Sequence, residues 1–235
     1  MGKRDKKYKE ALTKFDRNQG YDLSDALDVV KNIAFAKFDE TIEIHVKLGI
    51  DPRKSDQTVR GTTVLPNGTG KTPKVIVFTK GDKIAACEAA GADEVGGDEL
   101  IQKVKDGFSD FDIAVASPDM MGAVGKSLGR VLGPKMPNPR AGTVSPDPAK
   151  AVQELKSGKI QYRADKSGIV HCPVGKVSFP TEHLVENLRV LLEAIVKARP
   201  SASKGAYLRT VCLTSTMGPA VKVDAQKAAA FAGVR

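Results

Sequence analysis

From Thr41 to Leu48 apolar and polar positions alternate. Ile42, Ile44, Val46 and Leu48 take one parity and Glu43, His45 and Lys47 the other, the period of a strand with one face in a core and one in water. The period just before it is different. Ala26, Val29, Val30 and Ile33 recur at helical spacing, which predicts a helix running to about Phe35, with Ser24 as its N-cap and Asp25 and Asp28 suited to its first turn. Further strands are predicted at Thr58 to Leu65, Lys159 to Ala164, Ile169 to Cys172, Tyr207 to Ser215 and Ala220 to Val223, with a turn at Lys166-Ser167-Gly168. A long helix from Thr181 to Ala198 would bury Leu184, Leu188, Leu191 and Ile195, and a short one could form from Lys9 to Phe15. The Ala-rich tail beyond Asp224 receives no assignment.

The pattern changes after Pro66-Asn67-Gly68-Thr69-Gly70-Lys71-Thr72-Pro73, a linker by composition. Short strands (the all-apolar Val75 to Phe78, then Glu94-Val95 and Ile113 to Ala116) now alternate with helices at Asp82 to Ala90, Glu99 to Lys105, Pro118 to Leu132 and Pro146 to Lys156. That is the signature of βαβ units on a parallel sheet. The expected fold is therefore α/β and α+β. A discontinuous two-layer α+β outer domain, residues 1–68 and 159–235, is interrupted by an inserted Rossmann-like parallel-sheet domain, residues 69–158.

Charge sharpens this division. The formal net charge is +9, yet residues 69–158 hold twelve basic and twelve acidic side chains, while the flanks hold 25 and 16. The outer segments, which include the basic arm Lys3, Arg4, Lys6, Lys7 and Lys9, carry the whole excess and point to an anionic partner. No apolar run approaches the ~20 residues of a membrane span, and no apolar region follows the basic N-terminus. We expect a cytoplasmic protein without a signal peptide and without a membrane partner. Cys87, Cys172 and Cys212 are odd in number and widely spaced, which argues for buried thiols rather than disulfides or a zinc site.

Little in the chain suggests catalysis. Gly70-Lys71-Thr72 lacks the earlier glycine of a phosphate loop, because Leu65 stands there, and a strand rather than a helix follows it. His45, His171 and His183 lack ligand-spaced partners, so no catalytic residue, cofactor or metal is expected. In Gly122 to Gly129 the small residues favour close packing of a helix against the sheet over contact with a ligand. Phe38, which lies between a helix and a strand, is bound by neither period. It either lids the core or stacks on a base or sugar, with Lys37 for a phosphate and Thr41 as a neutral hydrogen-bonding partner. Thr214-Ser215-Thr216-Met217-Gly218-Pro219 is either a plain hairpin connection or a turn that meets another surface closely, with the Thr216 hydroxyl facing outward.

These stretches are similar to a known family. Lys37 to Thr41 with its strand, Gly49-Ile50-Asp51-Pro52-Arg53, Gly91-Ala92-Asp93, Pro118-Asp119 with Met121-Gly122, Leu132-Gly133-Pro134, Val174-Gly175-Lys176 and Thr216-Met217-Gly218-Pro219 together resemble the L-one family of large-subunit ribosomal proteins, bacterial type. The resemblance runs from about Arg4 to Asp224. It implies a structural protein, monomeric within the ribosome, that binds the stalk region of large-subunit rRNA near the exit site and helps release deacylated tRNA. It also implies repression of its own operon through a similar mRNA structure. The RNA surface carried over by the resemblance falls on Lys37, Phe38, Thr41, Arg163, Lys166, Thr210, Thr216, Met217 and Gly218. The chain departs from its relatives at Gly133-Pro134-Lys135-Met136-Pro137, where they have two further residues. A small-molecule-binding or enzymatic Rossmann-like domain with a basic RNA tether is the competing reading.

Overall fold

The computed structural model describes Lys6 to Gly233. In chain order the elements are α1 (Lys6–Thr13), α2 (Leu23–Ile33), β1 (Thr41–Leu48), β2 (Arg60–Val64), β3 (Val75–Phe78), α3 (Lys83–Ala89), β4 (Glu94–Gly96), α4 (Asp98–Lys105), β5 (Ile113–Ala116), α5 (Met121–Leu132), α6 (Pro148–Lys156), β6 (Lys159–Arg163), β7 (Ile169–Lys176), α7 (Thr181–Lys197), β8 (Leu208–Ser215), β9 (Val221–Val223) and α8 (Ala225–Phe231). They fall into two compact units. One holds the described residues up to Gly70 and from Ile160 onward, the other Lys71–Lys159.

The first unit is two-layered. Its larger sheet has the order β7-β1-β8-β9, antiparallel throughout, with β1 in the interior, and β2 and β6 form a separate two-stranded sheet. The alternation in β1 settles which face is covered. Ile42, Ile44, Val46 and Leu48 are fully buried in one cluster with Leu27 and Val30 of α2, Leu188 and Leu191 of α7, and Val211 and Leu213 of β8. Among the described residues the opposite parity is left uncovered by helices and stays half-exposed along β1. Burying a Leu or Ile side chain is worth about 1.5–3 kcal/mol, so this one-sided core holds the sheet while leaving its other face available.

Two polar devices complete this unit. Asn187, fully buried on the packed side of α7, accepts a hydrogen bond from the Asn67 amide at 3.1 Å and donates to the carbonyls of Gly68 (2.9 Å) and Val174 (2.8 Å). It pins the segment after β2 to β7. Helix α8 follows from Asp224, whose carboxylate accepts from the Gln226 and Lys227 amides at 2.8 and 3.3 Å, and it buries Ala228 in the core. An N-cap at Asp224 was readable in the sequence. At α2 the N-cap is Asp22, not Ser24, and the helix ends at Ile33.

In the second unit β4-β3-β5 form a parallel sheet. All four residues of β3 are buried, with Ile76 and Phe78 packed toward the cluster of α4 and α5 and Val75 and Val77 toward that of α3 and α6. Both faces are covered, which is why its strands read as continuous apolar runs. The expectation for Gly122 to Gly129 does not hold. Helix α5 packs through Val124, Leu128 and Leu132, whereas a Cβ on Gly122 or Gly129 would meet nothing within 4 Å and one on Gly125 only Met136 Cε at 3.8 Å. Nothing in the structure explains these glycines. The loop after α5 folds into 3₁₀ turns at Gly133–Lys135 and Pro139–Ala141. Lys135 bonds the Phe111 carbonyl, and the Asn138 amide donates to Thr143 Oγ1 at 2.8 Å, so the loop is anchored within its own unit.

Candidate nucleic-acid interface

The segment between α2 and β1 is short and contains no regular structure, so side chains must fix it. Glu40 does most of this. It is only 2% exposed, and its carboxylate accepts the Phe35 and Ala36 amides at 3.0 and 2.8 Å and the Met217 amide at 2.9 Å. Burial alone would raise its pKa. The Met217, Ala36 and Phe35 amides outweigh that and hold it below the usual carboxylate value. Asp39 bonds the Ser178 amide at 3.1 Å and its hydroxyl at 2.7 Å. The two acids tie the loop to β7, to β8 and to the end of α2.

Held in this way, Phe38 projects outward, 56% exposed, and Met217 is 51% exposed. The lid reading of Phe38 is therefore excluded. Its ring is a surface feature, and Lys37 beside it is also exposed. Thr216 joins the two segments, because its hydroxyl accepts from the Thr41 amide at 3.0 Å and donates to the Thr41 carbonyl at 3.3 Å. The expectation of an outward-facing Thr216 hydroxyl is corrected here: the group extends the pairing of β1 with β8 by one residue. Thr41's own hydroxyl is held by Lys176 Nζ at 2.8 Å. A Cβ on Gly218 would lie 2.5 Å from Ser215 Oγ, so any larger residue there would have to displace that hydroxyl.

Six of the nine candidate residues, Lys37, Phe38, Thr41, Thr216, Met217 and Gly218, thus gather at one end of the sheet, where β1 begins and β8 ends. The other three do not join them. Thr210 pairs with Lys47 six residues along β1, about 20 Å away at ~3.4 Å per residue. Lys166 sits in the turn whose Ser167 carbonyl receives the Lys47 ammonium, and with Arg163 it lines a shallow cleft of about 120 Å³ beside Pro52 and Thr58. The uncovered face runs between the two groups and carries Glu43, His45, Lys47, His171, Cys212 and Thr214. Cys212 is only half-buried there, unlike Cys87 and Cys172, and burial pushes the Cys172 thiol up to about 12.

Sequence reasoning missed Glu40, Asp39, Lys176 and the meeting of His45 with His171. Glu40 could have been suspected, as an acid next to a strand whose buried parity it shares. The His pair depended on strand register, which no periodicity reveals.

An uncovered sheet face, edged by exposed apolar side chains and dressed with hydroxyls, imidazoles and cations, places the chain beside RNA-binding proteins, and comparison with known families makes the class definite. A family model described as the ribosomal protein L1p/L10e family matches residues 30–219, most of the chain and a span that includes all nine candidate residues. The protein belongs to that family, and with it to the structural, rRNA-binding proteins of the large ribosomal subunit. No helix among the described residues is long and apolar enough to cross a membrane, and no group of three or more metal-ligating side chains occurs among them.

Proposed function

We infer that the first unit binds the stalk region of large-subunit rRNA through the uncovered face of its sheet, in the cytoplasmic ribosome. Residues 1–68 and 159–235 act as the RNA-binding domain and 69–158 as the inserted one. The observation that carries this is the pair of exposed apolar side chains, Phe38 and Met217, fixed by one buried carboxylate, Glu40. A ring held out from a rigid end of the sheet loses little entropy on stacking against a base or sugar, and Lys37 adds a phosphate contact. Thr210, Arg163 and Lys166 make a second group of contacts at the far end, suited to a folded RNA whose shape spans about 20 Å. Binding at the stalk brings the protein near the exit site, where it helps deacylated tRNA leave. A similar mRNA structure would let the free protein repress its own operon.

The test is a filter-binding comparison between a transcript of the stalk and an unrelated structured RNA of equal length. The proposal expects clear preference for the stalk and its loss in Phe38→Ala. Equal affinity for the two RNAs would overturn it.

A further inference from the structure

Across the middle of the uncovered face the strand register aligns His171, His45, Cys212 and Lys222 in one row, from β7 through β1 and β8 to β9. The two imidazoles touch. Their Nδ1 atoms are 2.7 Å apart and the rings meet edge to face at 4.9 Å. Two nitrogens at that distance share one proton. His171 Nε2 lies 3.6 Å from Asp165 Oδ2, and the Asp165 carboxylate is itself fixed by the Ile169 and Ser167 amides at 2.8 Å each. The N–H of His171 therefore belongs on Nε2, facing that acid, and its Nδ1 accepts from His45 Nδ1–H. The bare nitrogen left in the pair is His45 Nε2.

We propose that the His45–His171 pair is a further RNA contact, one that takes up a proton when a phosphate backbone lies against the uncovered face. This rests on the reading that the face binds RNA. In the free protein burial and the neighbouring His171 both hold His45 below its ordinary value, with Glu43 opposing them, so His45 is neutral near pH 7. The groups around it leave the balance sensitive to an added polyanion. Glu43 and Lys47 flank it on β1, Asp165 precedes β7, Lys222 closes the row, and the Cys212 thiol is kept protonated by burial. Phosphates favour the cation, so by linkage RNA binding draws in a proton and affinity rises as pH falls. Only one proton enters, because two cations 2.7 Å apart repel strongly.

The experiment measures affinity for the stalk transcript at pH 7.5 and 5.5 in the full chain and in His45→Gln, His171→Gln and His183→Gln. His183 lies on α7, in the other layer, and serves as the control. Wild type and His183→Gln should bind roughly two- to fivefold more tightly at pH 5.5, the worth of one partly exposed ion pair. Both pair variants should lose that gain. Should a pair variant fail to fold, the imidazole NMR titration of wild type decides instead, and the His45 midpoint should move up when RNA is bound. A pH-independent wild type, a gain retained in both pair variants, or an unmoved midpoint would overturn the proposal. Absence of stalk binding at pH 7.5 would instead overturn the function on which it rests.

Discussion

The two units use their sheets in opposite ways. In the inserted unit β3 is buried on both sides, between α3 and α6 on one face and α4 and α5 on the other. In the first unit α2 and α7 cover one face and the other carries polar side chains in the open. Charge follows the same division, since residues 69–158 are balanced and their flanks hold the excess of cations. Covering a sheet on both sides leaves neither sheet face open for display. Covering it on one side leaves a rigid surface on which side chains of fixed spacing can be displayed.

Several substitutions would break or sharpen that contrast. The largest effect is expected at Glu40. Glu40→Ala strands the Phe35, Ala36 and Met217 amides and should lower stability by about 2–4 kcal/mol, read by thermal or urea denaturation. The same carboxylate predicts a pH effect. Its folded-state pKa lies below the ordinary 4.5, so the unfolded chain takes up the proton first as pH falls. Its contribution is complete above about 4.5 and is lost below it, and Glu40→Gln should flatten that part of the stability curve.

Phe38→Ala should separate binding from folding. An exposed ring predicts a loss of about 1–3 kcal/mol in affinity for the stalk transcript, with stability unchanged to within about 0.5 kcal/mol. Lys37→Ala should reduce the salt slope by about one unit, whereas Phe38→Ala should leave it unaltered. Thr216→Val affects both properties, because its hydroxyl completes the β1–β8 pairing. Stability should fall by about 1 kcal/mol and affinity with it. The smallest effect belongs to the other unit and has the opposite sign. Gly129→Ala, with open space around the new Cβ, should stabilise the chain by about 0.5–1 kcal/mol and leave RNA binding untouched.

Period and composition made most of the fold legible. The limits of β3 and β5, the alternation of β1 and the apolar stripe of α7 follow from single residues whose burial is dictated locally. What escaped was non-local. Glu40 meets Met217 across 177 residues and His45 meets His171 across 126, and no pattern within either segment records its partner. The glycines of α5 misled for a related reason. Their spacing is the same whether a helix presents them to a sheet or to open space, and only the position of Val124, Leu128 and Leu132 decides which.

The central claim is that recognition belongs to the open-faced unit alone. It is tested most directly by replacing residues 71–159 with a short Gly-Ser linker and measuring affinity for the stalk transcript. Affinity within roughly threefold of the intact chain, less than 1 kcal/mol, is the expected result. Loss of binding in a variant whose circular dichroism and cooperative melting show a folded protein would contradict it.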